Sequence, residues 1–141
     1  MDKYNLDRFV EAQKFAYEFA LIEVKQGYKE SHWMWYIFPQ IHGLGFSYMS
    51  ETYSIKSREE AIAYMEHPIL GNNLIEISNA LLHLKNNNAE SIFGEIDALK
   101  LQSCMTLFGE VCEECDVFHK ILEKYFDGQK DGLTLEILKN M

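Results

Sequence analysis

No run of apolar residues approaches the roughly 18 that a membrane span requires, so no transmembrane helix and no membrane partner are expected. A basic patch is equally absent. The chain has 13 Lys and Arg against 22 Asp and Glu, a formal net charge of -9. Its nearest approach to a cationic cluster, Lys120 and Lys124, sits among Glu114, Asp116 and Glu123. Such a field repels a phosphate polymer at long range, so no nucleic-acid partner is expected. The start, Met1-Asp2-Lys3-Tyr4-Asn5, lacks the basic lead and apolar block of a secretory signal, and the expected location is cytoplasmic. Three cysteines form an odd number, which points to free reduced thiols rather than a disulfide framework.

The familiar catalytic signatures are missing too. There is no GxSxG, no HExxH and nothing that marks a Ser-His-Asp triad. Gly43-Leu44-Gly45 follows no strand and opens no helix, so it is no dinucleotide fingerprint. Cys112, Cys115 and His119 have a spacing that zinc could use, but no second Cys or His pair closes a tetrahedral site. Glu113 and Glu114 would raise the thiol pKa, which argues against a redox dithiol. Neither metal nor cofactor is expected.

What is present is enough apolar material for one core: 141 residues, 48% hydrophobic and 13% aromatic, read as one domain spanning 1–141. Asn5 is placed to cap a helix running to about Gln26 and stopped by Gly27. An aromatic segment, His32 to Phe38, ends at Pro39, and residues 40–56 read as a long loop. Ser57-Arg58-Glu59-Glu60 predicts a capping box and a helix to Glu66. Pro68 suits the first position of a helix to Lys85, and Asn86-Asn87-Asn88 breaks it. One turn at Ser91 to Gly94 follows. Asp97 is then placed to cap a helix to about Cys112, Asp116 starts another ending near Gly128, and Thr134 to Lys139 closes the chain. With no alternating strand and no internal repeat, the expected fold is all-α, a compact multihelical bundle of about seven helices.

Placing the helices on a wheel isolates residues at odds with their surroundings. On the first helix, Phe9, Ala12, Ala16, Phe19, Ala20 and Val24 form the apolar face, and Gln13 and Glu23 fall inside it. On the second long helix, Ile69, Leu70, Leu74, Ile77, Ala80, Leu81 and Leu84 share the apolar side, opposite a solvated stripe of Asn72, Glu76, Asn79 and His83. Asp97 and Lys100 share an arc with Leu101, Cys104, Met105, Leu107, Phe108 and Val111. Buried ions need partners, and the three-residue spacing lets Asp97 and Lys100 pair. Lys100 is also the candidate partner for Glu23. Trp33, Trp35, Tyr36 and Phe38 crowd one short segment, more aromatic surface than a short helix buries on its own.

These residues assemble into a candidate site. His32, Asp97 and Lys100 are the candidates for catalysis: His32 or Asp97 as a base, and Lys100 as electrostatic stabiliser. Gln13, Trp35, Tyr36, Gln40, Tyr53 and Ser103 are the candidates for ligand binding. Stacking aromatics beside Gln, Asp and Lys suit a nucleotide-like small molecule. The alternative is an interaction or regulatory module that uses the aromatic block as its contact surface, including self-association into a homo-oligomer.

Three stretches, SHWMWYIFPQIHGLGFSYMS, HPILGNNL and IFGEIDALKLQSCMTLF, resemble the bacterial and plant family of domain of unknown function 1810. The resemblance runs from about Tyr4 to Leu138. It coincides with the family pattern at Gln13, His32, Trp33, Trp35, Pro39, Gln40, Gly43, Gly45, Ser50, Tyr53, Gly71, Asp97, Lys100 and Ser103, among others. It departs at Asn73, where similar proteins often have arginine. The resemblance implies a compact multihelical fold and carries no established activity. Some members bear the label calpastatin, which suits a disordered repetitive inhibitor and not this aromatic-rich chain.

Overall fold

Twenty residues from Asp7 to Gln26 form α1 in the computed structural model, which describes residues 2–141. Met1, the first residue of the expected domain, lies outside the described residues. The helix stops at Gly27, whose φ of 83° is the left-handed geometry that glycine adopts without strain. Its start corrects the expectation. Asn5 has φ 52° and caps nothing; the Asp2 carboxylate accepts the amides of Leu6 and Asp7 instead, at 2.7 and 2.8 Å. An ionised carboxylate is the stronger acceptor, and these bonds hold the Asp2 carboxyl below its ordinary range.

The helices that follow are α2 (Met34–Ile37), α3 (Tyr48–Thr52), α4 (Arg58–Glu66), α5 (Leu70–His83), α6 (Ala89–Phe93), α7 (Glu95–Val111), α8 (Asp116–Phe126) and α9 (Gly132–Lys139). Among the described residues there are thus nine helices where about seven were expected. The main addition is α3, five residues inside the presumed loop, where Ser47 caps by accepting the Ser50 amide. So short a helix carries no hydrophobic period to announce it. Ser57 caps α4 as expected, but Glu60 reaches back to the amide of Lys56 rather than to that of Ser57. Pro68 precedes α5 by two residues, and His67 Nδ1 accepts the amides of Ile69 and Leu70. Asp97 does not cap α7, which begins two residues earlier behind Gly94.

α7 lies at the centre. It packs on α8, α6, α4 and α9, while α1 packs on α5 and α2, and α5 on α4 and α8. Leu101, Cys104, Met105, Leu107 and Phe108 of α7 are fully buried, as their shared arc predicts. Gly71 lets α5 touch the end of α4, since a Cβ there would lie 2.1 Å from the Met65 carbonyl oxygen. Arg8 of α1 commits all five guanidinium N–H groups: to the carbonyls of Tyr4, Asn5, Thr52 and Ser54 and to the Glu60 carboxylate at 2.7 Å. Lys124 of α8 seats its ammonium on the carbonyls of Leu81, Leu82 and Leu84, where the C-terminal end of α5 favours a cation.

Two placements on the apolar faces are corrected. Phe19 is 63% exposed and joins Phe15 and Ile22 in an outward stripe along α1, and Ile69 is half exposed just before α5. The core side of α1 is filled instead by Phe9, Ala20 and Val24. The thiols are corrected as well: Cys112 and Cys115 are joined by a disulfide at the turn between α7 and α8, leaving Cys104 free and buried. A separation of three residues across a turn brings the sulfurs together without any framework of further bridges. No helix among the described residues is long and apolar enough to cross a membrane.

Candidate functional site

Three segments converge on an open cavity of about 310 Å³. The first wall is the stretch after α2. Pro39 ends that helix, and the chain then doubles back so that Ile41 and Ile55 form a parallel bridge. Its two bonds, His42 amide to Ile55 carbonyl and Ile55 amide to Gln40 carbonyl, are both 2.8 Å long. Arg8 holds the same base through Thr52 and Ser54. Gly43 has φ 109°, which favours glycine, and a side chain at Gly45 would strike the Ser50 hydroxyl at 2.8 Å. The second wall is the first half of α7, contributing Ile96, Leu99, Lys100 and Ser103, and the third is Asp131 with Leu133 at the start of α9.

Of the residues expected to bind ligand, Trp35, Gln40, Tyr53 and Ser103 line this cavity, as does Lys100. Lys100 Nζ lies 5.0 Å from the centre of the Trp35 ring and 3.5 Å from Asp97 Oδ1. Asp97 is bound more closely by Lys29, at 2.9 Å, a partner that sequence spacing could not supply. Lys29 in turn sits over the Trp33 ring and donates to the Ser31 carbonyl. Asp97 therefore backs Lys100 without lining the cavity.

The other candidates lie elsewhere. His32 is exposed and does not line the cavity. Gln13 is buried between helices: its amide donates to the Tyr36 carbonyl and the Tyr64 hydroxyl, and its oxygen accepts from Asn73. Asn73 is thus engaged in a structural bond. Tyr36 packs against Tyr53 of the cavity wall, with ring centroids 5.2 Å apart and planes tilted by 60°. Burial is the main cause that pushes its phenol pKa up, followed by the neighbouring Tyr53.

Glu23 is buried as expected, but its partner is not Lys100. Its carboxylate accepts the amides of Glu30 and Ser31, the Ser31 hydroxyl and the Trp33 indole N–H, at 2.6 to 3.0 Å. A tight turn after Gly27 brings these donors onto the end of α1, a local geometry that wheel position cannot reveal. The aromatic block divides between core and surface. Trp33 and Phe38 are buried in the core, and only Trp35 and Tyr36 are half-buried.

Several cavity residues escaped the reading of the sequence. Ile96, Leu99 and Leu133 form an apolar rim, exposed by 71%, 61% and 63%. Two large aliphatic residues on the outer face of α7 were the available signal. Asp131 caps α9, its Oδ2 accepting from Ser103, the Thr134 amide and the Thr134 hydroxyl. Ser54 lies within 3.0 Å of His42 Nδ1, yet its one proton goes to the Glu51 carbonyl. It is therefore an acceptor for His42 and not an activated nucleophile. No group of three or more metal-ligating side chains occurs among the described residues.

A model of the family described as protein of unknown function (DUF1810) matches residues 3–138. The chain is also similar to a solved structure, the conserved hypothetical protein Rv1873 from Mycobacterium tuberculosis. The two are 40% identical with a TM-score of 0.95, over 96% of this chain and 97% of that one. No curated protein matches. With a family model over nearly its whole length, the chain belongs to the DUF1810 family of proteins of unknown function.

Proposed function

We propose that this protein binds a small molecule in the cavity between the Gln40–Ser54 segment, the first half of α7 and the start of α9. The observation that carries the reading is the character of that cavity. It is concave, rimmed by exposed aliphatic residues, and floored by a few convergent polar groups, the composition of ligand sites. Its volume of about 310 Å³ suits a single ring system with a few substituents, which keeps a nucleotide-like ligand of modest size within range. Trp35, Gln40, Gly43, Gly45, Ser50, Tyr53, Lys100 and Ser103, which line it, all belong to the pattern that carries the family resemblance. In this reading Lys100 acts on the ligand and Asp97 is its counterion, while His32 has no part. A thermal-shift screen of metabolites tests it. At least one compound should raise the melting temperature, and Leu99→Glu, on the exposed rim, should abolish that rise without unfolding the protein. A hit that stabilises the Leu99→Glu protein equally would place binding elsewhere.

A second reading is favoured by a different observation. Phe15, Phe19 and Ile22 lie four and three residues apart on α1 and are 77%, 63% and 54% exposed, a stripe fitted to a partner helix. If the protein is an interaction module, this stripe is its contact surface and not the aromatic block. Light scattering after size exclusion separates self-association from a monomer, and Phe19→Lys should dissolve any dimer made this way.

A further inference from the structure

We infer that the cavity recognises the anionic end of its ligand, a carboxylate or a phosphate carried on a compact apolar body. The inference rests on the small-molecule reading above and adds the chemical class.

Lys29 and Lys100 share one carboxylate, Asp97, which lies 2.9 Å from Lys29 and 3.5 Å from Lys100. Two cations against one anion leave a net positive charge, and it rests with the more distant Lys100, the one that lines the cavity. Lys29 is the better buried of the two, at 8% side-chain exposure against 22%, and also donates to the Ser31 carbonyl. Lys100 has Asp97 as its sole acceptor among the described residues, which leaves N–H groups for a ligand. A cation held over an indole face is also partly desolvated, which strengthens its attraction for an incoming anion.

The hydrogen-bonding inventory agrees. Trp35, Tyr53 and Gln40 line the cavity, and the indole Nε1, the phenol hydroxyl and the side-chain amide they carry have no hydrogen-bond partner among the described residues. The Ser50 hydroxyl accepts from Ser47 and keeps its own proton free. An indole N–H and an ammonium can only donate, and the hydroxyls and the amide can donate as well. The one lining side chain that can only accept is Asp131; its Oδ2 is occupied by Ser103 and Thr134 at the N-terminus of α9, where its negative charge is favoured. A set of free donors beside a cation that shares its only counterion with Lys29 is complementary to an acceptor-rich anion. The apolar rim of Ile96, Leu99 and Leu133 then accommodates the rest of the molecule.

Titration of the full-length, isotopically labelled protein with benzoate, phenyl phosphate and the neutral benzamide, followed by amide chemical shifts, tests the inference. One or both anions should bind at least tenfold more tightly than benzamide and shift the amides of Gly43 to Gly45; which anion wins identifies the source of the charge. Lys100→Gln should erase that preference while leaving the benzamide affinity in place. Tyr53→Phe, which removes one hydroxyl and no packing, should weaken the anion by a smaller factor. Benzamide binding as tightly as both anions, or an anion preference that survives Lys100→Gln, overturns the ligand class alone. Absence of any shift around the cavity with all three probes overturns the cavity reading with it.

Discussion

Glu23→Gln tests the physical account of the α1 terminus, because its effect should depend on pH in a direction fixed by the structure. Glu23 is 7% exposed, and burial alone pushes its carboxyl pKa up. The four donors from Ser31, Glu30 and Trp33 outweigh that and hold it at about 2, against an ordinary 4.5. At roughly 1.4 kcal/mol for each tenfold change in proton affinity, the ionised form supplies about 3 kcal/mol of stability. The folded-state value is the lower one, so the contribution is whole above about pH 4.5 and disappears as pH falls toward 2. Glutamine keeps the shape and one accepting oxygen but carries no charge, and its amide still reaches the Ser31 hydroxyl. Urea unfolding followed by far-ultraviolet circular dichroism should therefore find the variant about 2 to 3 kcal/mol less stable near pH 7. The deficit should shrink to under about 1 kcal/mol near pH 2. Taking the difference between the two proteins removes every other titrating group. A deficit that stays constant across that range would refute the assignment of the stabilisation to the carboxylate charge.

Gly71→Ala should cost roughly 3 kcal/mol or more, since its new methyl meets backbone, the Met65 carbonyl, and not a movable side chain. Thermal unfolding measures this, and a loss under about 1 kcal/mol would mean that α4 and α5 separate easily. Arg8→Met should cost about 3 to 5 kcal/mol, because Glu60 is left as a buried anion with its main partner gone. Restoring part of that loss with the double variant Arg8→Met, Glu60→Gln checks the cause, the remainder being the four carbonyls that Arg8 also serves. Ser78→Ala should stabilise the protein by about 0.5 to 1 kcal/mol, as the Ser78 hydroxyl is buried with no partner among the described residues. A lower melting temperature for this variant would mean that the hydroxyl has a partner after all.

Periodicity made the long helices legible because their buried faces repeat: α7 shows its core arc in Leu101, Cys104, Met105 and Phe108, and Gly27 marks the end of α1 by its backbone freedom. It failed where contacts come from outside the helix. Phe19 looked like core because it is apolar, but the neighbouring helices pack on the face of α1 that carries Phe9, Ala20 and Val24. Asp97 and Lys100 were legible as a pair, whereas Lys29, the nearer cation, joins them only through a fold that spacing does not encode. Gln13 was correctly placed inside and Glu23 likewise, yet both are satisfied by local or interhelical bonds, so an inward polar residue marked structure as often as it marked the cavity. The α9 contribution, Asp131 and Leu133, had no sequence signal beyond an ordinary helix cap.

The two tryptophans occupy different worlds. Trp33 is sealed in the core and tied to Glu23, while Trp35 is half-open, lines the cavity and carries the Lys100 ammonium near its ring. The molecule thus contains a pair of optical reporters, separable by a water-soluble quencher that collides with one indole and not the other. Substituting either by phenylalanine turns the protein's own fluorescence into a gauge of acid-induced loosening in one case and of cavity occupancy in the other.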